Sequence, residues 1–477
     1  MQIPTFPILR QGEVYVSLDT QDIKAVRGGE VAARTTVANS GMLNRDLLAM
    51  AKAREALKAI PARELLAICQ RAGEYFLNDT LPLGHPAIPQ SPDAYVKQLA
   101  STSGLPHALI RMNLKRLGNV FAEMPTVIKG LTRGLDLEIF DKGYGSQMGV
   151  PVSYAVQADC LGVIMPSNSP AVNALWLPAF VMKVPVVIKP GREEPWTPWR
   201  VIQALLKAGA PKEAFSFYPT GHDGSGAIIR RAGRVMLFGD DSTVAQYAND
   251  PRIEVHGSGR SKILIGEDKI ENWRDYLDVL VEAISANSGR SCINTSSIVV
   301  PKYAAEIADA VAERLAEITP KAPEDESAKL SGFANPMMAE WIDGAIADGL
   351  KESGARDASL PFRGADRRVE RDGMHYLLPT IVHCASFENE LSNKEFLFPY
   401  ASVVEVAQAD MLAQIGPSLV VTAITEDKRW IDELLDAPNI DRLNIGPVPT
   451  NRISWDQPHE GNLFESLYKR RSISMAA

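Results

Sequence analysis

From residue 161 to residue 268 the sequence alternates short apolar runs with helix-like stretches, and this rhythm restricts the possible folds more than any other feature. "LGVIM" is followed by the breaker "PSNSP", then "AVNALWLPAFVMK", then "VPVVIKPG". "FSFYP", "GSGAIIRRA", "RVMLF", "STVAQYAN" and "SKILIGED" continue the series. Strand, helix and strand in this order form right-handed crossover units on a parallel sheet. Such sheets bind ligands beyond the carboxyl ends of their strands. The loops of interest are therefore "MPSNSP", "KPGREEP", "PTGHDGSG" and "FGDDST".

The chain has 477 residues, too many for one simple core, so two or three domains are expected. Residues 44–77 and 105–127 read as long helices. The stretch "LDLEIFDKGYGSQMGVPVSYAVQADC" reads as a β-hairpin around a glycine turn. A second α/β region runs to about 445 and contains the amphipathic helix "MMAEWIDGAIADGLKESGARD". A net charge of -8 disfavours nucleic acid or an anionic membrane as the partner. The four cysteines, Cys69, Cys160, Cys292 and Cys384, are scattered. They form no paired or zinc-like spacing, so neither a disulfide framework nor a metal site is expected. No run of about 18 apolar residues is present. The first residues lack a basic segment followed by an apolar one. A cytoplasmic location with reduced thiols is expected.

Cys292 stands in "ANSGRSCINTSSIVVP", where a helix over 271–287 has ended and a strand is about to begin. Leu277, Leu280, Val281 and Ile284 form the buried stripe of that helix. The flanks of Cys292 are small and polar: Ser288, Gly289, Ser291 and Asn294. A cysteine here is either packing or a nucleophile whose pKa such a setting lowers. A thiol that attacks a carbonyl creates an oxyanion, which needs donors in place. Asn168, between Pro166 and Pro170, is one candidate donor; an asparagine that satisfies its own turn is the plainer alternative. Lys189 and Arg192 lie just past a strand end and suit a ribose or a phosphate; a solvated charge cluster is the alternative. The turns at Gly221 and Gly239 can admit a pyrophosphate to a helix N-terminus, although neither is a GxGxxG.

Taken together, the order of these motifs resembles the aldehyde dehydrogenase superfamily over roughly residues 25 to 460. "PSNSP" is similar to its asparagine-bearing proline loop, "VVIKPG" to its Lys-Pro strand end and "NSGRSC" to its cysteine motif. "LLPTIV" and "NKEFLFPYASVVEV" are similar to its later segments. The resemblance implies that Cys292 is the nucleophile and that Asn168 joins the oxyanion hole. It implies that Lys189 binds the adenosine ribose and Glu395 the nicotinamide ribose. Pro166, Gly221 and Gly239 would line the dinucleotide path. The implied fold is α/β: two parallel-sheet domains, one Rossmann-like, plus a β-hairpin oligomerisation arm. Residues 1–135 and 159–266 would form the dinucleotide-binding domain and 267–446 the catalytic domain. Residues 136–158 and 447–477 would form the arm and tail of a homodimer or homotetramer.

Four departures bear on activity. Members that hydrolyse their thioester carry a water-activating glutamate. Here "EVHGSGRSKILIG" puts His256 at that position, with Glu254 two residues earlier. Branches that make or reduce acyl-CoA lack that glutamate, and "HGSGRSK" looks like the acyl-CoA reductase branch. Arg192 replaces a carboxylate that would repel a 2′-phosphate, which favours NADP over NAD. Leu397 and Phe398 replace Phe-Gly. The usual Pro-Phe-Gly-Gly segment of the tail is replaced by "QPHEGNLFE". The expected activity is an NADP(H)-dependent acyl-CoA reductase or CoA-acylating aldehyde dehydrogenase, with an aldehyde or acyl-CoA as substrate and coenzyme A as co-substrate. The alternative is a hydrolytic NAD(P)-dependent aldehyde dehydrogenase, with His256 or Glu254 as base.

Overall fold

The computed structural model describes residues 3–474, and its centre is two seven-stranded sheets. The first sheet has the order Ile253–His256, Arg234–Phe238, Leu161–Ile164, Val186–Lys189, Phe215–Phe217, Ile8–Arg10, Glu13–Tyr15. The five strands from the alternating region are parallel. The two N-terminal strands close one edge antiparallel. Ile164 lies beside Lys189 and Leu237, and Phe238 lies beside His256. The proline loop, the Lys189 turn and His256 therefore leave the sheet at the same end.

The second sheet has the order Ala355–Asp357, Thr380–Cys384, Tyr400–Glu405, Thr295–Val300, Ser261–Ile265, Ser418–Ile424, Ile440–Ile445. All its pairings are parallel except that of Ala355–Asp357. Its inner strands are apolar on both faces. Ile263, Ile298, Ile381 and Val403 pack into one cluster, and Leu264, Val299, Val382 and Val404 into another. Near-continuous β-branched runs are what a parallel sheet covered on both sides requires.

This arrangement corrects the placing of "SKILIGED". The alternation assigned it to the first domain, ending at 266, but Ser261–Ile265 is a central strand of the second sheet. The reason is the connection. Only residues 257–260 separate it from Ile253–His256. Two parallel neighbours in one sheet need a crossover of at least about 10–12 residues. Four residues can only carry the chain across to the other sheet, so the passage between sheets runs through "GSGR".

The helices differ in detail from the expected pattern. The long helix over 44–77 is three helices, Ser40–Leu47, Met50–Lys58 and Ala62–Asn78. Pro61 stands at the last break, because it has no N–H to continue the ladder. The 105–127 region is His107–Ala122 and Met124–Leu131. The hairpin is present as Tyr144–Gln147 and Val150–Val156, and the tail strand Tyr468–Arg471 adds to it antiparallel. No helix among the described residues is long and apolar enough to cross a membrane.

Candidate active site

The loop that carries Cys292 is held in an unusual conformation. The chain leaves the helix Leu277–Ser285, passes Ala286–Gly289, and turns at Cys292 into the strand Thr295–Val300. Asn287, Ser288 and Gly289 have φ of 51°, 58° and 64°. Three successive left-handed residues persist only where their surroundings enforce them. Gly289 has no substitute, since a Cβ there would overlap the Phe398 carbonyl. Asn113 Nδ2 donates to Asn287 Oδ1 at 2.8 Å. Asn294 Oδ1 accepts the Ser291 N–H at 3.0 Å, while its Nδ2 donates to the carbonyls of Ala283 and Ala286 at 2.9 and 3.0 Å. Ser261 Oγ donates to the Cys292 carbonyl at 2.9 Å. The small residues around Cys292 thus serve this hydrogen-bonded turn.

Cys292 is partly exposed, whereas Cys69, Cys160 and Cys384 are buried. Its pKa runs opposite to the expected lowering. Burial pushes the thiol up, and the carboxylates Glu460 and Glu395 push it further. The small polar flanks supply hydrogen bonds to the backbone and no positive charge to the sulfur.

Asn168 leans on the same loop. Its Nδ2 donates to the Arg290 carbonyl at 2.9 Å, and its Oδ1 is buried without a partner. An amide carries two N–H groups, so one remains for a developing oxyanion. Arg290 is a residue that motif reading missed. Its guanidinium donates to the carbonyls of Ser103 and Ser167 at 2.8 and 3.3 Å and to Ser331 Oγ at 2.7 Å. It ties the Cys292 loop to three distant segments, and burial lowers its pKa to about 10. Glu395 Oε2 accepts the Arg260 N–H at 2.6 Å, and burial raises this carboxyl to about 7. The changed segment "EFLFPY" packs rather than opens. Phe398 is buried against Phe396 and Tyr400, with ring centroids 6.4 and 6.0 Å away.

At the first sheet's edge, Glu254 and His256 both face the cavity, as the period of a strand dictates. His256 is 4% exposed and stacks on Phe238 at 4.6 Å. Its Nδ1 meets Glu460 Oε2 at 2.5 Å, and its Nε2 lies 3.6 Å from Glu254 Oε1. Burial pulls the His256 pKa down, but the two carboxylates outweigh it, and the net direction is up. Glu254 is raised, chiefly by burial. His459, beside Arg442 Nη1 at 3.4 Å, is pushed down to about 3 by burial and by that cation. His459 and Glu460 both belong to "QPHEGNLFE". No local motif signals them, because Glu460 reaches its partner across 204 residues of chain.

Six of the nine residues singled out from sequence line one cavity of about 1550 Å³: Cys292, Asn168, His256, Pro166, Gly239 and Glu395. Lys189, Arg192 and Gly221 do not line it. Lys189 is half-buried at its strand end with its pKa lowered by burial, and Arg192 is exposed. Their turn nevertheless abuts the cavity, because a Cβ on Gly191 would strike the Pro166 carbonyl.

The two glycine turns are not equivalent. Asp240 caps the helix Asp241–Tyr247 by accepting the Thr243 N–H at 2.9 Å, which sets carboxylates where an anion would sit. The helix His222–Arg231 has no side-chain cap, so its first N–H groups are free. The donor set fits a dinucleotide. There is a carboxylate on the cavity wall at Glu395, an uncapped helix after Gly221, and cations at Lys189 and Arg192. The volume exceeds the roughly 300–1,000 Å³ of an ordinary ligand pocket, which leaves room for a substrate beside the cofactor.

Comparison with known proteins bears on the family and the fold. Residues 85–416 match the model of the aldehyde dehydrogenase family. Aminoacetaldehyde dehydrogenase of Pseudomonas aeruginosa is 25% identical over 295 residues, 57% of this chain and 56% of that protein. The match thus spans little more than half of that relative's length. D-glyceraldehyde dehydrogenase (NADP(+)) of Thermoplasma acidophilum is 22% identical over 278 residues, 55% of this chain and 54% of that protein. Among solved structures, an indole-3-acetaldehyde dehydrogenase complexed with NAD+ superposes with a TM-score of 0.78 at 17% identity, covering 99% of this chain and 97% of that one. With its family match across most of its length, the chain belongs to the aldehyde dehydrogenase family, a family of NAD(P)-dependent oxidoreductases.

Proposed function

We infer that the protein oxidises an aldehyde to a carboxylic acid, with NADP or NAD as oxidant and water as the final acceptor. One observation carries this reading. Glu254, His256 and Glu460 form an acid–base cluster that opens on the same cavity as Cys292. The coenzyme A reading rested on the missing glutamate and on the likeness of "HGSGRSK" to the acyl-CoA reductase branch; a third acid–base group at Glu460 weakens the first of these grounds. The matched relatives are also named as aldehyde dehydrogenases.

In this reading Cys292 loses its proton to the cluster and attacks the aldehyde carbon. The remaining amide N–H of Asn168 and the Cys292 backbone N–H stabilise the oxyanion. A nicotinamide dinucleotide bound here would supply the acceptor for the hydride on this carbon. Glu395 would hold its nicotinamide ribose and Lys189 its adenosine ribose. Arg192 would pair with a 2′-phosphate, which favours NADP. The resulting Cys292 thioester is then hydrolysed.

The test is product analysis with aldehyde and NADP, with and without coenzyme A. Acid formed at a rate that ignores coenzyme A is expected. Acyl-CoA as the main product, with acid only in traces, would restore the CoA-acylating activity.

A further inference from the structure

We propose that Glu460, in the C-terminal segment, is the base that drives water onto the Cys292 thioester, with His256 as its positioning partner. The proposal rests on the reading that water is the acceptor.

The position where the family resemblance expects a carboxylate holds His256, and its geometry suits support better than attack. The ring is clamped flat on Phe238 at an interplanar angle of 16°. Nδ1 is engaged by Glu460 and Nε2 is buried without a hydrogen-bond partner, 3.6 Å from Glu254. Neither ring nitrogen is bonded to Cys292. Glu460 is placed differently. It lines the cavity together with Cys292. Only its Oε2 is committed to His256, so Oε1 is free to take a proton from water. The Glu460 carboxylate also raises the pKa of the Cys292 thiol. The tail reaches this point because Gly461, at φ +63°, packs against the Glu254 carboxylate, which a Cβ at that position would approach to 2.8 Å. This gives "QPHEGNLFE" a purpose: it brings a second carboxylate to the site, beside the position that His256 occupies.

The step balances as follows. Glu460 takes a proton from water as the water oxygen bonds to the thioester carbonyl carbon. The oxyanion collapses and the C–S bond breaks. The electron pair leaves on the Cys292 sulfur, which regains the proton, and the acid departs.

The test compares Glu460→Gln with His256→Gln. In Glu460→Gln, a stoichiometric burst of reduced cofactor is expected to survive while steady turnover falls about 10²–10⁴-fold. Hydroxylamine, which attacks the thioester without a base, should restore release as the hydroxamate. Iodoacetamide should alkylate Cys292 faster than in the wild type, since a negative neighbour is gone. A merely structural role would not slow turnover while quickening alkylation. His256→Gln should lose less than Glu460→Gln, and Glu460→Asp should recover part of the rate. Turnover in Glu460→Gln within about threefold of the wild type would overturn the proposal. So would a larger loss in His256→Gln, even if Glu460→Gln proves poorly folded. A wild type that yields acyl-CoA and no acid would instead overturn the choice of water as acceptor, a separate outcome.

Discussion

Cys292, the proposed nucleophile, is a half-buried thiol whose pKa is raised by burial and by two carboxylates. Cys292→Ala should abolish turnover and leave dinucleotide binding intact, measured by fluorescence titration. The sign of the pH effect follows from the raised pKa. Thiolate accumulates only as pH climbs past the ordinary thiol range. The rate of iodoacetamide labelling at Cys292 should therefore keep rising from pH 7 through pH 9 without a plateau. A plateau near neutrality would mean a lowered pKa and a different electrostatic environment. Arg192 is exposed, and a charge-assisted pair with a 2′-phosphate contributes roughly 1.5–3 kcal/mol, about tenfold to a hundredfold in affinity. Arg192→Glu should shift preference from NADP to NAD in competitive titration. An unchanged preference would make Arg192 an ordinary surface charge. That Cys292, Asn168, His256 and Glu395 share one cavity was legible from sequence because each sits inside a short motif. Arg290 and Glu460 were not legible, since their roles depend on partners from distant segments.

Among the elements, the loop Asn287–Gly289 holds three successive left-handed residues. Gly289→Ala sets a methyl group against the Phe398 carbonyl at a left-handed position. A cost of at least roughly 1–3 kcal/mol is expected, read as a lower unfolding midpoint. Activity should fall with it, because the same loop aims Cys292. A midpoint equal to the wild type would mean that the loop relaxes freely. The parallel strands were legible because both faces are buried and apolar runs mark them plainly. The break at Pro61 was legible in principle, since proline cannot continue a helix. The strand Ser261–Ile265 was misplaced because rhythm alone does not say which sheet a strand joins. The short link at 257–260 held that information, and crossover length decides it.

At the scale of the whole molecule, the cavity lies where the first sheet's strand ends, the Cys292 loop and the C-terminal segment meet. The hairpin and tail strand form a separate small sheet that exposes Tyr144, Met148 and Val150. We propose that this sheet joins copies of the chain. Light scattering should show a dimer or tetramer that Val150→Asp converts to a smaller species. A monomeric wild type would contradict this. Oxygen-18-labelled water shows whether water releases the product from Cys292. The enzyme would be supplied with aldehyde and NADP in labelled water, with coenzyme A present, and the product weighed by mass spectrometry. Carboxylic acid that gains a label from solvent at the carboxyl group is the expected result. Acyl-CoA as the dominant product, whatever its label, would contradict it.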